Sequence, residues 1–161
     1  MNRRELLKSL AAFAACIRAF EKTPNGAGRI VVRIGHRHSD LCLMRGDAEL
    51  TRERIPVGRW HFVNDIACCL DMNGGDAAEL VERHGIPARG DRHGTLQYSA
   101  REDASAVPPK LYAEVIEARA LEFAGFIRDT LRRAGAGDVP VRLEGNGAHI
   151  SGLSQTVNRI V

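Results

Sequence analysis

The chain has 161 residues with a formal net charge of +3; 44% of them are hydrophobic and 27% are charged. This composition fits one globular domain, residues 1–161, and excludes wholesale disorder. No apolar run approaches the roughly 18 residues that a spanning helix needs, so we expect no membrane association. Eight Lys or Arg against two Glu give residues 1–37 a net +6, which leaves −3 for the remainder.

The first twenty residues have the pattern of an amphipathic helix. Apolar residues recur at steps of four and three along Leu6, Leu10, Phe13, Ile17 and Phe20. The pair Arg3-Arg4 resembles the start of an export signal, but the apolar run after it is short and is closed by Arg18. We therefore interpret this segment as a retained helix in a cytoplasmic protein. Four cysteines without a C-x-x-C spacing also favour a reducing compartment.

Three strands and two helices are predicted in the next part of the chain. Alternating apolar residues predict a strand over 29–37, followed by strands over 41–44 and 49–57. Helical spacing predicts a helix over 58–71, and a capping-box pattern at Asp76 opens a second helix that ends at Gly85. A short strand is expected over 95–99. The segment 101–109 has no apolar period and is interpreted as a mobile linker.

The C-terminal part is predicted to contain a long helix followed by a hairpin. An apolar stripe runs through residues 110–134 and stops before Gly135. Asn146-Gly147 between two extended runs, 139–144 and 148–153, is a strong hairpin signal. The predicted fold is therefore α+β: an antiparallel sheet built from hairpins, packed against the long helix and the N-terminal helix. The order of elements also allows two αββ units.

Residues 144–149 carry a pattern that resembles a known nucleotide-contacting motif. The spacing of Gly145, Gly147 and His149 is similar to the Gly-x-Gly-x-His motif of archaeo-eukaryotic primase-type polymerases. That resemblance implies that the small turn approaches a phosphate and that His149 contacts a triphosphate. A plain type I′ hairpin turn explains Asn146-Gly147 without any ligand, and we prefer that interpretation.

A histidine-rich stretch is the candidate metal site. Strand alternation would place His36 and His38 on the same side, with Asp40 as a third ligand for a divalent metal. The His-x-His-x-Asp part resembles the metallo-β-lactamase superfamily signature. The alternative is a polar hairpin end in solvent, and no other cofactor is expected.

The basic N-terminal part leads to the functional hypothesis. We expect a non-enzymatic regulator or inhibitor, of the kind that mobile elements encode, that docks on a protein partner; a homodimer is compatible with the stripe on the long helix. The predicted binding residues are arginines, namely Arg3, Arg4, Arg18, Arg29, Arg33, Arg37, Arg89 and Arg92. Two alternatives remain open at this point: a nucleic-acid-binding module, and a metal-dependent enzyme using His36, His38 and Asp40.

Overall fold

The computed structural model describes residues 11–16, 28–87, 96–97, 106–136 and 140–161. Helix α1 is described over 11–16. The other elements are β1 (Gly28–Ile34), β2 (Ser39–Arg45), β3 (Ala48–Ile55), α2 (Arg59–Cys69), α3 (Gly74–His84), β4 (Leu96–Gln97), β5 (Ala106–Val107), α4 (Pro109–Ala134), β6 (Val141–Glu144) and α5 (Leu153–Ile160).

The main sheet is mixed, with the strand order β3-β2-β1-β6. Strands β1, β2 and β3 form an antiparallel meander, in which Val31 lies opposite Cys42. Strand β6 joins the other edge of β1 in parallel, with Ile30 opposite Val141. The prediction of an antiparallel sheet built from hairpins, with two αββ units, is therefore wrong. Its error lies in β6, which pairs with a strand more than a hundred residues earlier.

The core lies on one face of this sheet. Alternate residues of β1 and β2, such as Ile30, Val32 and Leu41, are buried in one cluster with side chains from the helices. On α4 the buried residues include Tyr112, Ile116, Ala120, Phe123 and Ile127, which repeat at three- and four-residue steps as the sequence predicts. Phe13 of α1 is fully buried in the same cluster. The helices that the structure describes therefore cover the same side of the sheet.

The opposite face of the sheet carries a thin apolar cluster of Val31, Cys42 and Met44. Charged side chains surround it. Arg33 donates to Glu49 at 2.6 Å, and Arg52 donates to the other oxygen of the same carboxylate at 2.6 Å. These bonds raise the pKa of Arg33 and lower that of Glu49, with the hydrogen bond from Arg52 as the largest cause for Glu49.

Several local predictions are refined by the structure. Helix α3 begins two residues before Asp76, because the side chain of Asn73 accepts hydrogen bonds from the N–H groups of Gly75 and Asp76. Within the segment predicted as a linker, Ala106–Val107 pairs with β4, while 101–105 lie outside the described residues. Among the described helices, none has the length and apolar character to cross a membrane.

Candidate functional site

Three strands end at the same edge of the main sheet. Strands β1 and β6 are parallel, and β3 runs in the same direction because both β1 and β3 are antiparallel to β2. The turn after Ile34, the segment before α2 and the turn after Glu144 therefore meet at one edge. In open sheets with parallel strands, ligands bind outside the carboxyl ends of the strands. This edge is the candidate functional site.

Glycines allow the backbone segments at this edge to approach closely. A Cβ atom on Gly58 would lie 2.6 Å from the carbonyl oxygen of His36, and one on Gly145 would lie 2.7 Å from that of Ile34. Gly145 also has a φ of +88°. A larger residue would collide with backbone that cannot move aside, so these glycines fix how the turns meet.

The turn between β1 and β2 caps helix α2. The N–H of Arg59 donates to Gly35 O at 2.9 Å, and the N–H of Trp60 donates to His36 O at 2.8 Å. The first helical N–H groups, which would otherwise be free to bind an anion, are already used. Any ligand at this edge must therefore rely mainly on side chains and on the turn after β6.

A cleft of about 250 Å³ opens at the edge, between the start of α2, helix α3 and the turn after β6. Its polar lining comes from Arg59, Glu82, Asn146 and His149, and its apolar lining from Val81 and Ile150. Arg59 lies 3.8 Å from Glu82, which is 79% exposed, so this pairing is weak. The cleft thus combines a guanidinium, a carboxylate, an amide and an imidazole with a small apolar contact.

The turn after β6 corrects the predicted hairpin. Residues 145–152 form turns, and the chain continues into α5 at Leu153 instead of a second strand. The N–H of Gly147 donates to Ile34 O at 3.4 Å, which ties the turn to the end of β1. Asn146-Gly147 therefore makes a contact with a distant part of the chain, the end of β1. The interpretation as a type I′ hairpin turn is wrong.

The predicted arginines that the structure describes are all engaged in contacts within the chain. Arg29 lies 3.4 Å from Asp47, and Arg33 is paired with Glu49 on the face opposite the helices. Arg37 stacks 4.7 Å above the Trp60 ring. The others, Arg3, Arg4, Arg18, Arg89 and Arg92, lie outside the described residues. Their assignment as binding residues stays a prediction.

The predicted metal ligands are not brought together as a set of three. Among the described residues, no group of three or more His, Cys, Asp or Glu could hold a metal ion. His36 and His38 are exposed in the turn after β1, and Asp40 lies 3.5 Å from Arg54 and 3.8 Å from Arg52.

Sequence reasoning missed Arg59 and Asn146 as functional candidates. They are 87 positions apart, and only the parallel pairing of β1 with β6 brings them together. The glycines at 145 and 147 and His149 were visible in the sequence. The sequence indicates these residues through their Gly-x-Gly-x-His spacing, but a simple hairpin turn also accounts for that spacing.

No protein-family model matches this sequence, and no match was found among curated proteins. Solved structures do match. A non-polymerising mutant of MamK bound to AMPPNP superimposes with a TM-score of 0.59 at 15% identity, over 80% of this chain and 44% of the MamK chain. The ethanolamine utilization protein EutJ from Carboxydothermus hydrogenoformans has a TM-score of 0.59 at 15% identity, over 95% of this chain and 46% of EutJ. The PilM-PilN type IV pilus biogenesis complex has a TM-score of 0.56 at 19% identity, over 90% of this chain and 38% of the matched chain.

These neighbours have the actin-like ATPase fold. The chain spans about half the length of the first structures it matches. Because these neighbours are actin-like ATPase fold proteins, the expectation of a docking regulator or inhibitor is wrong, and so are the nucleic-acid-binding alternative and the link to mobile elements. The metal-dependent enzyme using His36, His38 and Asp40 stays a prediction. The mixed sheet, with the described helices on one face and three strand ends at one edge, therefore has the fold of part of these actin-like proteins.

Proposed function

We propose that this chain is a nucleotide-binding unit of the actin-like fold, which binds an adenine nucleotide in the edge cleft and acts together with a protein partner. The observation that carries the proposal is the convergence of three strand ends around Arg59, Asn146 and His149. The AMPPNP bound to MamK supports the choice of nucleotide.

The chemistry of the cleft suits the parts of a nucleotide. Ile150 offers a small apolar contact for a base, since Val81 beside it is fully buried in the core. The Asn146 side chain has both a donor and an acceptor for a base edge, and Arg59 can bind phosphate oxygens through two N–H groups. His149, at the exposed rim, can donate to the phosphates or the ribose.

The size of the cleft supports a role for a partner. About 250 Å³ accommodates a base, but it lies below the roughly 300–1,000 Å³ of complete small-molecule sites. The chain also covers less than half of the MamK chain with which AMPPNP is found. A second wall would therefore come from another protein surface, and the PilM-PilN complex is an example of a neighbour found with a protein partner.

Titration calorimetry of the purified chain with ADP and with adenosine tests this proposal. We expect saturable ADP binding with a Kd of about 100 μM. In Arg59→Gln, ADP should bind about tenfold more weakly, since a charge-assisted hydrogen bond is lost. Adenosine, which has no phosphate, should bind this variant as it binds the wild type. Asn146→Ala should weaken both ligands.

The matched control is Arg132→Gln, which removes an exposed arginine from the last turn of α4. It should bind ADP as the wild type does. No saturable heat with ADP up to about 1 mM would overturn the proposal. The same follows if Arg132→Gln and Arg59→Gln weaken ADP binding equally, because the cleft would then not be the binding site.

A further inference from the structure

A second cleft lies between α4, α5 and the segment that follows α3. Its volume is about 610 Å³, well within the range of sites that bind small molecules. Among the residues that the structure describes, the two clefts have no lining residue in common. Neither the similarity to solved structures nor the nucleotide proposed for the edge cleft assigns a ligand to this second cleft.

The floor of this cleft is formed by two backbone segments locked together. The N–H of Ile86 donates to Ser151 O at 2.8 Å. Gly85 has a φ of +55° and Gly152 a φ of +81°. A Cβ on Gly152 would lie 2.7 Å from Ile86 O, so only glycine lets the segments meet this closely. The cleft is therefore formed before any ligand binds.

One wall of the cleft is a row of polar side chains without partners. Gln155 and Arg159 line the cleft from one side of α5, and Ser151 lines it from the turn that precedes this helix. All three are exposed. Within the ranges that the structure describes, their side chains make no hydrogen bond or ion pair. The Arg159 guanidinium therefore has all five N–H donors available to a ligand.

The other lining residues add the imidazole of His84 and an apolar surface. The Nε2 atom of His84 is buried and has no hydrogen-bond partner among the described residues. Since this atom is closed off from solvent, it offers no contact to a ligand in the cleft. Leu121 of α4 is 47% exposed, and half-buried Ile86 also lines the cleft. A ligand can thus place a polar group near α5 and an apolar body against these two side chains.

The charges restrict the polar group. A single guanidinium with neighbouring amide and hydroxyl groups matches a carboxylate, which Arg binds through two parallel hydrogen bonds. Glu117 also lines the cleft, and its negative charge would oppose a doubly charged phosphate more than a singly charged carboxylate. We propose that this cleft binds a small carboxylate with an apolar body, with Arg159 as the carboxylate ligand and Leu121 as the apolar contact.

Titration of the ¹⁵N-labelled full chain with hexanoate, followed by NMR, tests the proposal. We expect saturable shifts of the Gln155 and Arg159 side-chain signals, with a Kd of about 1 mM for such a small ligand. Hexan-1-ol has the same apolar body without the charge, so it should bind at least about tenfold more weakly. Hexyl phosphate should bind no more tightly than hexanoate.

Two variants and one control locate the binding. Arg159→Gln should weaken hexanoate about tenfold, and Leu121→Ser should weaken hexanoate and hexan-1-ol alike. Arg132→Gln should leave hexanoate binding unchanged. The absence of saturable shifts up to about 20 mM hexanoate would overturn the proposal. Equal binding of hexan-1-ol, or tighter binding of hexyl phosphate, would overturn the carboxylate assignment. ADP binding reports on the other cleft, so the two proposals can fail separately.

Discussion

Cys42 shows how position on the sheet controls the chemistry of a side chain. It is fully buried in the thin cluster opposite the helices, beside Arg33, whose guanidinium lies 3.8 Å from its Sγ atom. Burial raises the pKa of the Cys42 thiol to about 11, and the nearby charge of Glu49 acts in the same direction. Cys68 and Cys69 are exposed at the end of α2. The chain therefore contains thiols of very different reactivity.

Alkylation with iodoacetamide should separate these thiols. At pH 8, Cys42 should react at least about 100-fold more slowly than Cys68 and Cys69, since only the thiolate is nucleophilic. Its rate should rise as the pH is increased toward 11. Mass spectrometry of the digested protein gives the rate at each position. In urea, where burial is lost, all cysteines should react alike, and equal rates in the native protein would contradict this prediction.

At the scale of elements, Asn158 links the last helix to the edge of the sheet. Its Oδ1 accepts from the N–H of Val141 at 3.0 Å, and its Nδ2 donates to Val141 O at 3.1 Å. The amide thus satisfies both backbone groups of one β6 residue, as a neighbouring strand would. Because β6 has β1 on one side only, this contact protects its free edge and holds α5 in place.

Replacing Asn158 should loosen this end of the sheet. Asn158→Ala leaves two backbone groups unpaired and should lower the free energy of unfolding by about 1–3 kcal/mol. Asn158→Asp keeps the acceptor for the Val141 N–H but places a carboxylate oxygen against the Val141 carbonyl oxygen, so it should also lower the stability. Denaturant unfolding gives the free energies, and hydrogen exchange reports the protection of the Val141 amide. Unchanged protection in Asn158→Ala would show that the contact does not hold β6.

Local elements were predictable from the sequence, whereas the joining of β6 was not. Alternation located β1, and the apolar stripe located α4 to within a residue, since both patterns arise from neighbours along the chain. The partner of β6 is chosen by burial of Val141 against residues far away in sequence, which leaves no local signal. The candidate cleft depends on that pairing. Of its residues, the sequence alone therefore indicates only His149 and the glycines of the turn after β6.

At the scale of the whole molecule, the C-terminal segment contributes an edge strand and a helix to the core. It provides β6 and α5, and its core residues include Val141, Ile150, Leu153 and Val157. Burying one such side chain contributes about 1.5–3 kcal/mol, while a domain is stable by only about 5–15 kcal/mol in total. The free energy gained by burying these side chains is therefore comparable with the net free energy of unfolding of a domain.

A chain that stops after residue 136 should lose cooperative folding. Thermal unfolding followed by circular dichroism should show no sharp transition, and its NMR amide signals should be poorly dispersed. The control is a deletion of only Ile160 and Val161, both of which are half-buried. It should keep a cooperative transition. A sharp transition in the shorter chain would show that the meander and α2–α4 fold without β6.

The parallel pairing of β1 with β6 also affects how the chain folds during synthesis. Ribosomes add about 5–20 residues per second, and over a hundred residues separate Ile30 from its partner Val141. For several seconds the nascent meander therefore has an unpaired edge along β1, where a strand from another molecule could add. During that interval the risk of aggregation depends on whether this edge meets another chain. A chaperone that covers the edge would therefore protect the protein more than tighter packing of the finished core would.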